Sequence, residues 1–138
     1  MWGYMTGGYK DFGRSAARLD DILNWIPARL GALALLASGW IYGHSCRQGW
    51  HIFRRDRGKH PSPNGGQVEA AVAGLLGVQL GGESRYHGQV SHRPRLGDPT
   101  RPVQPEHIVQ TNKVVQGGVY LALGVMLAVY FGLGVIWF

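Results

Sequence analysis

The sequence predicts an all-α integral membrane protein with one transmembrane helix at its C-terminus, a second membrane or re-entrant helix, and a basic cytoplasmic loop region. Three observations predict this fold class. Residues 114–138 carry no charge, glycine accounts for 22 of 138 residues, and charged residues make up only 16% of the chain. Low charge and abundant glycine are typical of membrane helices, in which glycine permits close packing.

The uncharged C-terminal segment is long enough to cross a bilayer as a helix. Its 25 residues rise about 37 Å, against a hydrocarbon core of about 30 Å. Gly124, Ala128 and Gly132 recur every four residues and form a stripe of small residues suited to contact with another membrane helix. Because every charge precedes Val114, the positive-inside rule predicts that the basic segment is cytoplasmic, at the inner (plasma) membrane.

A second apolar segment, residues 30–42, is interrupted only by Ser38 and is too short to span a bilayer alone. Extended back to Ile22 it reaches a spanning length, so residues 26–43 fit either a spanning or a re-entrant helix. A spanning helix would place the polar residues before it and those after it on opposite sides of the membrane. We expect the re-entrant form, which keeps both groups on the cytoplasmic side.

The rest of the chain is expected to complete a single membrane domain over residues 1–138. Residues 68–80 predict a short helix that Gly81–Gly82 ends. Residues 82–112 lack hydrophobic periodicity and predict a loop or lid, with a short helix from Pro105.

Residues 54–66 form the strongest candidate binding site. Cationic, histidine and serine side chains precede a turn that opens the third helix, whose start either Asn64 or Gly66 can cap. Helix starts favour anions, and arginine grips phosphate or carboxylate with paired hydrogen bonds. The alternative is a membrane-proximal loop that contacts lipid headgroups, although such contact needs no shaped turn. The candidate anion-binding residues are Arg54, Arg57, Lys59, His60, Ser62 and Asn64.

A second polar cluster lies before residues 30–42. Asp20 and Asn24 share one face of a predicted helix. Asp21 shares another face with Arg14 and Arg18. Paired carboxylates can hold Mg²⁺ on a nucleotide, which makes Asp20 and Asp21 candidate metal ligands. The alternative is a set of surface pairs between neighbouring helical turns.

A third candidate surrounds Gly81–Gly82, where the backbone can approach a ligand closely. Tyr86 and Asp98 are its candidate polar contacts, and an ordinary loop is the alternative. Other site classes lack their signatures, since Cys46 is the only cysteine and neither a Walker A motif nor GxGxxG occurs. A pI near 9.9 would suit nucleic acid, but the membrane helix argues against that partner.

Residues 18–30, RLDDILNWIPARL, are similar to a signature of the CobD/CbiB family of cobalamin biosynthesis. The resemblance continues in order along nearly the whole chain, and its motifs are long and unusual. Its further segments are HPSPNGG at 60–66, EAA at 69–71, GLLGVQLGG at 74–82, Tyr86, Gly88, and LGD at 96–98.

The resemblance implies an integral membrane enzyme of the adenosylcobinamide-phosphate synthase type. Such an enzyme joins adenosylcobyric acid to aminopropanol phosphate, or aminopropanol, by ATP-dependent amide-bond formation. It implies ATP and Mg²⁺, with the corrinoid as a substrate rather than a cofactor, in contact with membrane lipids. The implied roles are substrate binding by the basic cluster and Tyr86, metal-nucleotide binding by Asp20, Asp21 and Asn24, and catalysis by Glu69 and Asp98.

The sequence also departs from the family pattern. Family members are considerably longer and have N-terminal membrane helices that are missing here, so the chain resembles the C-terminal half. This predicts a need for a separate N-terminal half or for a homo-oligomer. Val68 and Gly31 stand where proline and threonine are common in the family. Two further interpretations stay open: a non-enzymatic regulatory or assembly protein similar to the AmpE membrane proteins, and an inactive fragment.

Overall fold

The computed structural model describes the backbone of residues 10–86 and 89–137 and the side chains of residues 14–83 and 90–133. Within these ranges the chain forms five helices and a two-stranded β-hairpin. The elements are α1 (Lys10–Leu23), α2 (Trp25–Ile41), α3 (Cys46–Asp56), α4 (Gly65–Leu76), β1 (Leu80–Tyr86), β2 (Gln89–Leu96) and α5 (Glu106–Trp137). The protein is mostly helical, as the sequence predicts.

Helix α4 is the buried centre of the fold. Its sequence is rich in alanine and glycine, and nine of its 12 residues are buried. Leu75 of α4 packs against Gly39 of α2 and Gly49 of α3, and a Cβ at either glycine would collide with the leucine side chain. Small residues thus let the three helices approach closely. The apolar core consists of Ala32, Leu35, Leu36, Phe53, Ala71, Val72, Leu75, Leu76, Val78 and Val114.

Helices α3 and α4 are antiparallel neighbours. Gly66 at the start of α4 lies against Arg57, which follows α3, whereas Gly74 near the end of α4 lies against Gly49 and Ile52. Antiparallel packing with a short connection places the connecting turn at one end of the helical body.

Helix α5 crosses α2 and then extends beyond the other helices. The Ser38 hydroxyl of α2 donates a buried hydrogen bond to the main-chain oxygen of Val114 at 2.8 Å, and Gly117 packs against Ser38 and Tyr42. Glu106–Leu133 is the one described helix that is both long and apolar enough to cross a membrane, and only 11% of its most apolar window is buried. This agrees with the predicted C-terminal transmembrane helix. The short helix predicted from Pro105 is the beginning of α5, which continues without a break.

The first two helices meet at a bend of 45°. Arg14–Leu23 and Trp25–Ile41 have the length and composition of a membrane span only when the bent pair is counted as one. Helix α2 exposes Leu30, Leu33 and Trp40. The bent pair fits a broken span and a re-entrant helix equally, so the re-entrant form stays a prediction.

The prediction of an all-α protein is wrong for residues 80–96, where the expected loop or lid is a β-hairpin. Its two strands pair antiparallel, with an irregularity between Leu80 and Gly82. Both strands are mainly polar, and only Leu96 is buried among the described hairpin residues. Without one apolar face the strands show no alternation of apolar and polar residues, which is the pattern that indicates a strand.

Helix α4 starts and ends earlier than predicted. Asn64 occupies the position before its first residue, although its side chain makes no capping hydrogen bond. Gly77 ends the helix in the left-handed conformation, with φ of +67°, which glycine adopts readily at helix ends. Gly81 was expected to end this helix, but it lies in β1, where a Cβ would collide with the main-chain oxygen of Pro94.

Replacing Gly74 with alanine is expected to lower the free energy of unfolding by roughly 1–3 kcal/mol, the usual cost of overpacking a tight interior. A Cβ there would lie 2.8 Å from the Gly49 Cα and 2.8 Å from the Ile52 Cβ. Gly31→Ala is the matched control, because a Cβ at Gly31 meets nothing within 4 Å and alanine favours a helix. Thermal unfolding in detergent compares the two variants, and equal midpoints would contradict the close packing.

Candidate functional site

The two polar clusters predicted from the sequence meet at one end of α2. The turn of residues 57–64 between α3 and α4, called the basic turn below, reaches Asp21 of α1. The side-chain nitrogen of Asn64 donates a hydrogen bond to the main-chain oxygen of Asp21 at 2.8 Å. The Ser62 hydroxyl lies 3.5 Å from an Asp21 carboxylate oxygen. These contacts exclude an arrangement with the two clusters at opposite ends of α2.

Hydrogen bonds within the basic turn fix the orientation of His60. Its Nδ1 lies 3.0 Å from the Ser62 main-chain nitrogen and 3.3 Å from the Ser62 main-chain oxygen, so the ring contacts this residue in either tautomer. The Ser62 hydroxyl oxygen accepts from the main-chain N–H groups of Asn64 and Gly65, both at 3.4 Å. The turn is thus held in shape by its own side chains.

Two glycines let the basic turn fold back on the start of α4. A Cβ at Gly65 would lie 2.8 Å from the His60 ring, and a Cβ at Gly66 would collide with the main-chain oxygen of Arg57. Any larger residue at either position would push the turn away from the helix. Close packing accounts for the paired glycines that follow the proline-rich part of this segment.

A buried carboxylate anchors the basic turn to the β-hairpin. Asp56, whose side chain is fully buried, accepts two hydrogen bonds from Arg55, at 2.7 and 2.9 Å. It also accepts from Lys59 Nζ at 2.6 Å and from the Gly97 main-chain N–H at 2.8 Å. Arg55 in turn binds the Asp98 carboxylate at 2.8 and 3.2 Å. This group of charges, called the Asp56 network below, joins the end of α3 to the residues after β2.

The Asp56 network stabilises the charged form of its central carboxylate. The hydrogen bonds from Arg55, followed by those from Lys59 and the Gly97 N–H, hold the pKa of Asp56 well below its usual range and outweigh the opposing effect of burial. Loss of the charge would leave buried donors poorly paired. The network therefore fixes Lys59, and with it the start of the basic turn.

The predicted cations differ in their availability to a ligand. Arg54 and Arg57 are exposed and have no ion pair among the described side chains. The Arg57 guanidinium lies 5.1 Å from the centre of the Phe53 ring. Lys59, by contrast, is engaged by Asp56. Arg54 and Arg57 can thus bind an anion without breaking an existing pair.

The predicted acidic residues also occupy different environments. Asp20 is exposed and accepts a hydrogen bond from the Asn24 side chain at 2.9 Å, whereas Asp21 is half-buried beside the basic turn. Glu69 is exposed on α4. Asp98 is held by Arg55, which makes it part of the Asp56 network rather than an open carboxylate. The side chain of Tyr86, the remaining predicted contact, lies outside the described residues.

Two buried acceptor atoms beside the basic turn have no donor in the described part of the chain. They are Asn64 Oδ1 and Gln67 Oε1. The nitrogen of the Gln67 side chain donates to the Pro63 oxygen at 3.0 Å, so both amides are fixed in orientation by their nitrogens. Buried acceptors are normally paired. These oxygens are suited to accept hydrogen bonds from N–H or O–H groups of a ligand.

No group of three or more His, Cys, Asp or Glu residues that could hold a metal ion occurs among the described residues. Asp20 and Asp21 are adjacent on α1 and supply two carboxylates. Mg²⁺ prefers six oxygen ligands and commonly takes several from phosphates and water. Because neighbouring residues on a helix point in different directions, Asp20 and Asp21 do not by themselves enclose a metal ion, and the predicted Mg²⁺ site stays a prediction.

Arg55, Asp56 and Gly97 were given no role from the sequence, although Arg55 and Asp56 lie within the candidate segment 54–66. One local signal was present, because Asp56 is the only acid in the cation-rich segment 54–59. The partners Gly97 and Asp98 lie 41 and 43 residues from the α3 groups they contact. Only the fold of the hairpin brings them together.

The comparisons with known proteins agree on one family. A family model described as CobD/Cbib protein matches residues 1–115. The chain is 46% identical over 115 residues to "Cobalamin biosynthesis protein CobD" of Desulfotalea psychrophila, covering 83% of this chain and 35% of that protein. It is 44% identical over 136 residues to the protein of the same name from Chromobacterium violaceum, covering 99% and 42%. The chain belongs to the CobD/Cbib family.

Membership of the CobD/Cbib family confirms the resemblance seen in the sequence motifs. The matched residues 1–115 include every predicted site residue, whereas most of α5 lies beyond them. A third relative, from Mycobacterium tuberculosis, is 44% identical over 129 residues, which is 92% of this chain and 41% of that protein. The chain thus spans roughly two-fifths or less of the length of these curated relatives. No solved structure shows a significant match.

Replacing Asp56 with asparagine is expected to reduce the free energy of unfolding by about 2 kcal/mol at neutral pH, since hydrogen bonds to charged groups contribute about 1.5–3 kcal/mol. The pKa of Asp56 in the folded chain lies below that of an unfolded aspartate, about 3.9. Its contribution is therefore fully present above about pH 4 and is lost as the pH falls further.

Denaturation of wild type and Asp56→Asn between about pH 7 and pH 3 tests this expectation. The variant has no carboxyl group at this position to protonate, so it should lose less stability on acidification. Asp20→Asn removes an exposed carboxylate and serves as the control. Parallel stability profiles for wild type and Asp56→Asn would show that the buried charge does not stabilise the fold.

Proposed function

We propose that this chain takes part in cobalamin biosynthesis as the anion-binding portion of an adenosylcobinamide-phosphate synthase. The curated relatives bear the name "Cobalamin biosynthesis protein CobD". The family resemblance implies amide-bond formation between adenosylcobyric acid and aminopropanol phosphate or aminopropanol. The contact between Asn64 and Asp21 carries the proposal, because it joins the carboxylates of α1 and the cations of the basic turn in one site.

The charges of the site match those of the proposed substrates. One substrate carries a phosphate and the other a carboxylate, and arginine binds both groups with paired hydrogen bonds. We assign this binding to Arg54 and Arg57, which form no ion pair among the described side chains. Lys59 adds positive charge from a position that Asp56 fixes, and His60 offers its second ring nitrogen, Nε2, as a polar contact.

The amine of the second substrate must be oriented and must lose a proton as the amide forms. Asn64 Oδ1 and Gln67 Oε1 are buried acceptors that can orient its N–H groups. Glu69 keeps the role of candidate base from the family resemblance alone, because it is exposed on α4 and a residue two positions after Gln67 lies on another side of the helix. Asp98 remains bound to Arg55 and is assigned a positioning role.

The acidic part of the site fits a metal-bound nucleotide. ATP supplies the activation that lets the carboxylate lose an oxygen when the amide forms. Asp20 and Asp21 offer two carboxylate ligands for the accompanying Mg²⁺, and Asn24 orients Asp20 through their hydrogen bond. Asn64 and Ser62 contact Asp21, which puts the basic turn beside the acidic part of the site and supports a shared group of ligands.

We place this reaction at the plasma membrane, with the basic turn on the cytoplasmic side. Support comes from α5, whose uncharged part can cross a bilayer and whose charges all lie toward its N-terminal end. Because the chain spans at most 42% of the relatives considered, a separate N-terminal half or a second copy of the chain is proposed to complete the enzyme.

An amide-forming assay in membranes tests the proposed function. Membranes containing this chain, alone or co-expressed with the N-terminal part of the Chromobacterium violaceum relative, receive adenosylcobyric acid, aminopropanol phosphate and Mg-ATP. Formation of adenosylcobinamide phosphate in either arm supports the proposal. Absence of product in both arms, together with no binding of adenosylcobyric acid, would instead favour a regulatory protein or an inactive fragment.

Replacing Asn64 with alanine is expected to reduce product formation to background in whichever arm is active. The change removes both the hydrogen bond to Asp21 and a buried acceptor. Asn112→Ala is the control, because Asn112 is exposed on α5 away from the basic turn. Both variants should insert in the membrane at wild-type levels, and wild-type activity of Asn64→Ala would remove the basic turn from the site.

A further inference from the structure

A second polar cleft lies away from the basic turn, where the connection between α2 and α3 meets the end of α4. Its volume is about 400 Å³, and it is enclosed by three separate parts of the chain. His44 and Gln48 line it from the α2–α3 region, and Thr100 and Arg101 line it from the segment after the hairpin. None of the residues predicted from the sequence to form a site contributes to this cleft.

The backbone around this cleft is fixed by hydrogen bonds. The main-chain oxygen of Gly77 accepts from the Thr100 hydroxyl at 2.5 Å and from the Arg101 N–H at 3.0 Å. Gly77 has a left-handed conformation, and a Cβ there would collide with the Thr100 hydroxyl. These bonds hold the Arg101 backbone beside the end of α4. The fold thus fixes the point from which the Arg101 side chain starts.

The cleft is positively charged and contains no acidic side chain among its lining residues. Burial and, to a lesser extent, the nearby charge of Arg101 lower the pKa of His44, and no carboxylate acts on it in the opposite direction. At neutral pH the histidine is therefore an uncharged partner for hydrogen bonds. A shallower depression that shares Gln48 with the cleft is lined by Arg47. Arginine side chains on both sides of Gln48 favour an anionic group.

The position of the cleft indicates the source of that anion. Lys113 is the last charged residue of α5, and Val114, next to it, is bonded to Ser38 near the end of α2. If α5 spans the membrane with its uncharged part, the polar boundary of the bilayer passes this point. Trp40 and Tyr42 are 71% and 49% exposed just before the cleft. Exposed tryptophan and tyrosine are typical of the headgroup level of membrane proteins.

We propose that this cleft binds the phosphate of an anionic phospholipid headgroup, with Arg101 as its main cation and His44 and Gln48 as hydrogen-bonding partners, whereas the Thr100 hydroxyl is committed to the Gly77 oxygen. A soluble phosphate ester offers the same chemistry. The exposed side chains of Trp40 and Tyr42, which come just before the cleft in the chain, favour the lipid, because they give its acyl region a surface to contact. The cleft would thereby fix the depth and tilt of the α2–α5 crossing at the membrane surface.

Lipid retention by the purified chain tests this site without reference to enzyme activity. The chain in mild detergent is incubated with phosphatidylglycerol or phosphatidylcholine of identical acyl chains, and bound lipid is counted by native mass spectrometry. The wild-type chain should retain phosphatidylglycerol at about fivefold lower lipid concentration than phosphatidylcholine, in line with the contribution of one basic residue near an anionic surface. Arg101→Gln should abolish this preference.

Two further variants keep the test decisive. Arg101→Lys preserves the charge and should keep most of the preference, which separates loss of binding from loss of folding. Arg93→Gln removes an exposed arginine of β2 and should change nothing. Retention of phosphatidylglycerol by Arg101→Gln at the wild-type level would overturn the proposal. So would displacement of the lipid by millimolar glycerol 3-phosphate, which would identify the cleft as a site for soluble phosphate esters.

Discussion

The buried carboxylate of Asp56 is the interaction on which the shape of the site depends. The hairpin contributes little to the apolar core, since Leu96 is its only buried residue among those described and Leu80 packs at the edge. Apolar burial alone would hold such an element weakly, because stabilisation scales with the apolar area removed from water. Charge-assisted hydrogen bonds supply the attachment instead, and the same carboxylate holds Lys59 at the entrance to the basic turn.

Small residues impose the second constraint on the fold. Helix α4 is short and carries few large side chains, yet it lies at the centre because Gly39, Gly49 and Gly74 allow its neighbours to come close. At these glycines the helices pack through close contact of their backbones instead of through large interlocking side chains, as in helix pairs within membranes. The close packing of α2, α3 and α4 in turn holds the basic turn, which connects α3 to α4, at one end of these three short helices.

The sequence predicts which types of residue the candidate site contains, but it does not predict how they are arranged in space. Residues 18–30 and 60–66 carry motifs whose residue types indicate anion and metal binding, and the structure brings Asp21 and Asn64 together. Helices α2, α4 and α5 could be located from runs of apolar residues, whereas α3, a mainly polar segment, was not predicted as a helix. The hairpin could not be located, because its strands bury no continuous apolar face and so lack the period of two that identifies a strand. Its Asp56 attachment depends on contacts across more than 40 residues, which no local pattern encodes.

The hydrogen bond between the basic turn and α1 ends on the main-chain oxygen of Asp21, not on its carboxylate. Every amino acid offers that oxygen, so this hydrogen bond does not depend on the side chain at position 21, which adds only the longer contact of 3.5 Å with the Ser62 hydroxyl. The chemistry of the position can therefore change, through substitution of the carboxylate, while the two halves of the site stay joined. The main chain at position 21 holds the basic turn, whereas the side chain supplies the chemistry. Proteins that share this fold could therefore differ in function through a substitution at position 21.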